Sequence, residues 1–172
     1  MRRLVPTVLI ALFLVAVAVP AAAFARARDR SDGTLAIKNA TGTIQIVARG
    51  SILGSIDSGS VWITDWNPTD DADPQVYGAE KSIAKSELTT VYRGRDIRFR
   101  FVSGRYTIRV VGSGVDVAAV GTGTLRLTGL GTFDDGSYSL DGTPFKSVPS
   151  LPFVGVFGGQ AATNSPTIPV GG

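Results

Sequence analysis

The chain has no cysteine and no histidine among its 172 residues, and a single methionine. Without cysteine there is no disulfide frame, no thiolate nucleophile and no Cys-ligated zinc. Without histidine there is no imidazole base, no Ser-His-Asp triad and none of the commonest metal ligand. Aromatic residues are sparse at 8%, and the one long apolar run lies at the N-terminus. Any chemistry would have to run on carboxylates, hydroxyls, Lys and Arg. The composition predicts no cofactor and no metal, and it nominates no catalytic residue.

The apolar run has the form of an export signal. Met1-Arg2-Arg3 supplies a positive start, residues 4–19 are apolar apart from Pro6 and Thr7, and Pro20 ends the run. Ala21-Ala22-Ala23, Ala23-Phe24-Ala25 and Ala25-Arg26-Ala27 each satisfy the small-x-small cleavage pattern. As a helix, 16 residues rise about 24 Å, short of a ~30 Å hydrocarbon core. The expectation is a signal peptide over residues 1–27, no stable membrane span after cleavage, and a secreted or extracytoplasmic location. An uncleaved N-terminal anchor is the alternative.

Cleavage would also neutralise the chain. Arg2, Arg3 and Arg26 leave with the signal, so the 17 basic residues fall to 14, against 14 acidic ones. A chain without net charge is not expected to bind nucleic acid through general attraction to polyanions. Of the 17 basic residues 13 are Arg, a bias that fits GC-rich coding and hence a high-GC bacterium.

Residues 28–32 read as a flexible N-terminus, and 33–157 as one all-β domain. Short alternating runs such as Thr43-Ile44-Gln45-Ile46-Val47 and Ser60-Val61-Trp62-Ile63-Thr64 follow Gly33, Gly42, Gly50 and Gly59 at spacings of 9, 8 and 9. Period-2 alternation with regular turn residues predicts a single antiparallel β-sandwich or barrel-like meander. The glycine rhythm also resembles that of bacterial β-solenoids, including bactofilin-like and adhesin-like envelope proteins, so a short β-solenoid is the second architecture. Residues 79–87 are the one stretch with some helical character.

Three turns suggest a register for the second half. Ser103-Gly104, Gly112-Ser113 and Gly121-Thr122-Gly123 would each close a hairpin. Phe101 then faces Tyr106, Phe99 faces Ile108, and Val110 faces Val115 on one apolar side. The other side would line up Arg98, Arg109 and Asp116. After Gly142 five prolines interrupt the chain, and residues 158–172 read as a disordered Gly/Pro-rich tail. Leu151-Pro152-Phe153-Val154-Gly155 is similar to the Leu-Pro-x-Thr-Gly sorting signal but has Val for Thr, with no apolar span or basic tail after it.

Motifs for catalysis are thin. Ser82-Ile83-Ala84-Lys85 has the Ser-x-x-Lys spacing of penicillin-binding proteins without the companion elements. Asp65, Asn67 and Thr69 imitate the start of a calcium loop, but Asp70 stands where Gly belongs and Val76 where Glu belongs. Asp134 and Asp135 are adjacent carboxylates, the minimum for glycoside hydrolysis.

Two surface features are candidate binding residues. Trp62 and Trp66 share one side of a strand, about 13 Å apart, as an aromatic platform for sugar rings or a protein partner. Arg98 and Arg100, with Arg105 and Arg109, point away from the apolar side and suit an anionic ligand. The reading is a secreted, non-catalytic β-domain acting as a structural or binding module at the cell envelope, its partner an envelope glycan or a protein. A small carboxylate-dependent glycan-active enzyme is the alternative.

Overall fold

A computed structural model describes residues 32–69, 74–132 and 134–159. Residues 1–27, read above as a signal peptide, the 28–31 stretch, most of the acidic loop after Thr69 and the tail from residue 160 therefore lie outside the described residues. Those described contain seven strands and no helix: β1 (Gly33–Asp65), β2 (Gln75–Ala84), β3 (Thr89–Phe101), β4 (Arg105–Gly129), β5 (Ser137–Leu140), β6 (Lys146–Ser147) and β7 (Phe153–Phe157). All pairings are antiparallel, in one hydrogen-bonded sheet of order β2-β3-β1-β4-β7 that does not close into a barrel. No helix among the described residues is long and apolar enough to cross a membrane.

Two of the strands are far longer than the usual 3–10 residues. β1 has 33 residues and β4 has 25. Straight, β1 would reach about 110 Å, several times the width of such a domain. It must therefore bend, and the register shows where. Gly42 pairs with Gly112 on one edge and with Gly129, 17 positions further along β4, on the other. Gly112 likewise pairs with Gly42 and with Gly59, again 17 apart. The β1–β4 ribbon winds back on itself, so that residues 42–49 of β1 lie between two stretches of β4, and residues 106–112 and 117–121 of β4 between two stretches of β1.

The bends fall in two rows. Gly129, Gly42, Gly112, Gly59 and Gly94 are successive cross-strand neighbours, and so are Gly33, Gly121 and Gly50, with Gly104 accepting the Gly50 N–H at 3.0 Å. At Gly42 φ is +138°, and an added Cβ would lie 2.2 Å from the Thr128 carbonyl oxygen. Only a residue without Cβ lets the backbones meet this closely at that φ. The spacings read from sequence are thus creases at which the sheet folds.

Folding at the creases produces two layers. The first contains 75–77, 97–101, 50–56, 115–121, 33–37 and 137–140. The second contains 79–84, 89–94, 59–65, 105–112, 42–49, 122–129 and 153–157. Their inner faces supply the core: Leu35, Ile37, Ile52, Ile56, Ile97 and Phe99 from one, Ile44, Ile46, Val61, Ile63, Ile108 and Leu125 from the other. Aromatic pairs bridge the layers, Phe101 on Tyr106 at 4.5 Å and Tyr138 on Phe153 at 5.0 Å between ring centroids.

The inward and outward faces expected for residues 97–127 are therefore correct, whereas the hairpin register is not. β3 pairs with β1 and β2, never with β4, and residues 105–129 form one bent strand. Phe101 and Tyr106 meet across the core instead of side by side. A crease preserves the inward alternation as well as a hairpin turn does, so the apolar pattern alone could not separate them. The solenoid reading fails because its stacking is parallel, although the winding it implied is present. The 79–87 stretch is the end of β2 and a turn, not a helix.

A cationic tryptophan face and a second, mixed face

The two layers present contrasting outer faces. Alternation places Thr43, Gln45, Val47 and Arg49 outward from β1, and Arg105, Thr107, Arg109 and Val111 from β4 on the second layer. Register then sets Arg126, Gln45, Arg109, Trp62 and Val91 in one row, and Thr124, Val47, Thr107, Thr64 and Thr89 in the next. Arg93 and Lys81 are paired further out on the same face. Its strand positions carry Arg49, Lys81, Arg93, Arg105, Arg109 and Arg126, with Glu80 at the β2 bulge beside Lys81 the nearest exposed strand carboxylate. Arg49 and Arg105 are direct cross-strand partners, an arrangement of like charges that destabilises a sheet. The small net charge of +3 conceals this segregation of charge.

Trp62 and Trp66 do lie on one side, on this face. Each carries an Arg. The Arg109 guanidinium sits 5.4 Å from the Trp62 ring centroid, and that of Arg105 sits 5.7 Å from the Trp66 ring. Trp62 is half-buried and Trp66 is 51% exposed. The Trp66 indole N–H donates to Thr107 Oγ1 at 3.0 Å, which fixes the ring against the sheet. The feature is two Trp–Arg pairs, not a bare aromatic platform. Stacking engages the flat face of a guanidinium and leaves its in-plane N–H donors for an anion.

Arg98 and Arg100 do not join them. They stand on the outer face of the first layer, beside an open hollow of about 680 Å³ lined by Ala36, Leu53, Tyr77, Asp116 and Ala118. That face mixes signs, with Lys38, Asp57 and Asp116 also pointing outward. Lys38 Nζ lies 4.6 Å from the Phe145 ring centroid. Sequence reasoning missed Arg49 and Arg126 as members of the cationic face. The signal was present in the glycine spacing, since Gly–Gly pairing alone sets Gln45 between Arg109 and Arg126.

The carboxylates singled out from sequence serve loops. Asp135 accepts hydrogen bonds from the Thr132 hydroxyl and from the backbone N–H of Gly131 at 2.6 Å and of Thr132 at 3.1 Å. The Thr132 hydroxyl foremost, then these N–H groups, hold its carboxyl below the ordinary range against an opposing effect of burial. A general acid needs the opposite shift. Asp134 accepts from the Gly136 N–H at 3.2 Å. Asp65 accepts from the Asn67 N–H at 2.9 Å, while the acids at 70, 71 and 73 lie outside the described residues. Among the described residues no three His, Cys, Asp or Glu side chains are grouped for a metal ion.

The depressed Asp135 carboxyl has a pH signature. A group whose pKa falls on folding stabilises the fold above its unfolded value of about 3.9 and loses that contribution as pH drops through the folded value. Asp135→Asn is expected to melt below wild type at pH 7, with the gap closing as pH falls below 4. Thermal melts between pH 2.5 and 7 check this; a gap constant with pH would mean that the charge is irrelevant.

Fold and surface together define a class: an all-β, antiparallel two-layer domain with one face rich in Arg and bearing two tryptophans. No family model, curated protein or solved structure matches the chain.

Proposed function

We infer that this is a non-catalytic binding module of the bacterial cell envelope that holds an acidic glycan on the outer face of its second layer. The observation that carries the reading is the segregation of charge, six cations on strand positions of one face against Glu80 alone at its β2 edge. A facing Arg49–Arg105 pair costs stability unless an anion lies between the two side chains. Two Trp–Arg pairs about 13 Å apart along β1 supply apolar ring faces beside directed N–H donors, a combination suited to sugar rings bearing acid groups. The N-terminal sequence favours an extracytoplasmic site, where the abundant polyanions are glycans. The loop roles of Asp134 and Asp135 favour binding over a glycan-active enzyme.

The test is titration with polygalacturonate, neutral dextran and single-stranded DNA at two salt concentrations. Polygalacturonate is expected to bind, weakening as salt rises, with dextran silent. Arg105→Ala with Arg109→Ala should lower affinity at least about tenfold, since hydrogen bonds to charged groups contribute about 1.5–3 kcal/mol each. Binding of dextran as tightly, preference for DNA, or full affinity in the double variant would overturn the assignment.

A further inference from the structure

The first layer's outer face has a built-in two-fold pattern. Asp116, Ser55 and Arg98 are successive cross-strand neighbours, so the two charges flank β1 symmetrically, one strand to each side. The next row runs Ala36, Ala118, Leu53, Arg100 and Gln75. Side-chain size is as lopsided as charge. The hollow is lined by the small Ala36 and Ala118 on one side of the 50–56 stretch and by the long Arg98, Arg100 and Tyr77, a wall, on the other. Leu53 and Tyr77 are 53% and 61% exposed.

We propose that this face binds a second copy of the chain, face to face, about a two-fold axis running along residues 50–56. Such an axis exchanges the flanks. Asp116 meets Arg98 of the second copy, and Arg98 meets its Asp116. The wall of each copy enters the hollow of the other, with Arg100 over Ala118. Leu53 lies on the axis against Leu53. A shared interface of this kind must be self-complementary, and both size and charge satisfy that here.

An anionic amphiphile fits less well. A single acidic head would gain from Arg98 and Arg100 but would be repelled by Asp116. That carboxylate has one oxygen engaged, accepting the Asn39 N–H at 3.0 Å. Its other oxygen has no partner among the described residues, and Arg98 forms no ion pair with any of them. The second copy supplies both missing partners at once. A face of five strands at ~4.8 Å and about six residues at ~3.3 Å buries on the order of 1,000 Å² in total, the lower end for a specific complex. A dimer dissociating in the micromolar range follows. Each cationic face stays open, on the far side of its own copy.

Sedimentation velocity of the full chain from about 1 to 200 µM reads the outcome. The wild-type chain should shift from monomer to dimer across that range. Leu53→Asp, which sets two like charges on the axis, should raise the dissociation constant at least about thirtyfold. Arg98→Asp and Asp116→Arg should each abolish self-association, because each opposes like charges twice. Mixed one to one they should form a heterodimer, since every facing pair then has opposite signs. A monomer at all concentrations, unchanged dimerisation of Leu53→Asp, or no heterodimer from the two folded variants would overturn the proposal. If Asp116→Arg loses its fold along with the Asn39 bond, Leu53→Asp decides alone.

Discussion

Gly42→Ala is expected to destabilise the domain severely, while Gly142→Ala costs little. Both glycines have positive φ, +138° at Gly42 and +71° at Gly142. The difference lies in what a methyl would meet. At Gly142 nothing lies within 4 Å, so only the left-handed backbone penalty applies, about 1–2 kcal/mol. At Gly42 the methyl would fall 2.2 Å from the Thr128 oxygen and 2.9 Å from the Gly129 Cα, both backbone atoms. Relief requires moving β4 away, which breaks the crease row on both edges of β1. The expected cost exceeds about 4 kcal/mol, against a typical total stability of 5–15. Urea titration of the two variants checks the contrast, and comparable midpoints would mean that the creases are not close contacts.

Phe101→Ala should lower stability by about 3–5 kcal/mol, the usual cost of emptying a buried aromatic site. The ring is 1% exposed, stacks on Tyr106 and leans on Phe99 at 5.7 Å between centroids. It joins the end of β3 in one layer to the start of β4 in the other, where no backbone hydrogen bonds connect these strands. In a domain of this size the melting temperature should drop by roughly 10 °C. A double-mutant cycle with Tyr106→Leu should return a coupling of about 0.5–1.5 kcal/mol. A loss under 1 kcal/mol for Phe101→Ala would show that the ring is not a core element.

The strand content and the inner face were legible because alternation records which side of a strand is buried. Ile97, Phe99, Tyr106, Ile108, Val110, Val117 and Leu125 are all buried as the pattern demands. What alternation does not record is which strands are neighbours. Gly112 and Gly121 looked like turns because a turn and a crease both ask for glycine. The distinguishing information was numerical. The spacings 9, 8, 9 along β1 meet 8, 9, 8 along β4, from Gly104 through Gly112 and Gly121 to Gly129. Antiparallel strands with those intervals bring glycine to glycine on both edges. The site was legible to the same degree. Trp62 and Trp66 share a face as the strand period requires, whereas Arg98 and Arg109 part company because their strands belong to different layers.

The doubly matched glycine rows also limit how this chain can change in length. One residue inserted between Gly42 and Gly50 would put every following residue of β1 out of step with its partners on β4 and β3, and would turn its inward side chains outward. A compensating insertion in β4 would repair one edge and disturb the other, since residues 106–112 and 117–121 of β4 each face two stretches of β1. The change that leaves both ladders intact is 17 residues added to each strand, one further turn of the wound ribbon. Loops such as 85–88 and 130–136 escape the rule, because no crease is counted through them. In descent, insertions and deletions should therefore collect in the loops, and the domain should grow only by whole turns.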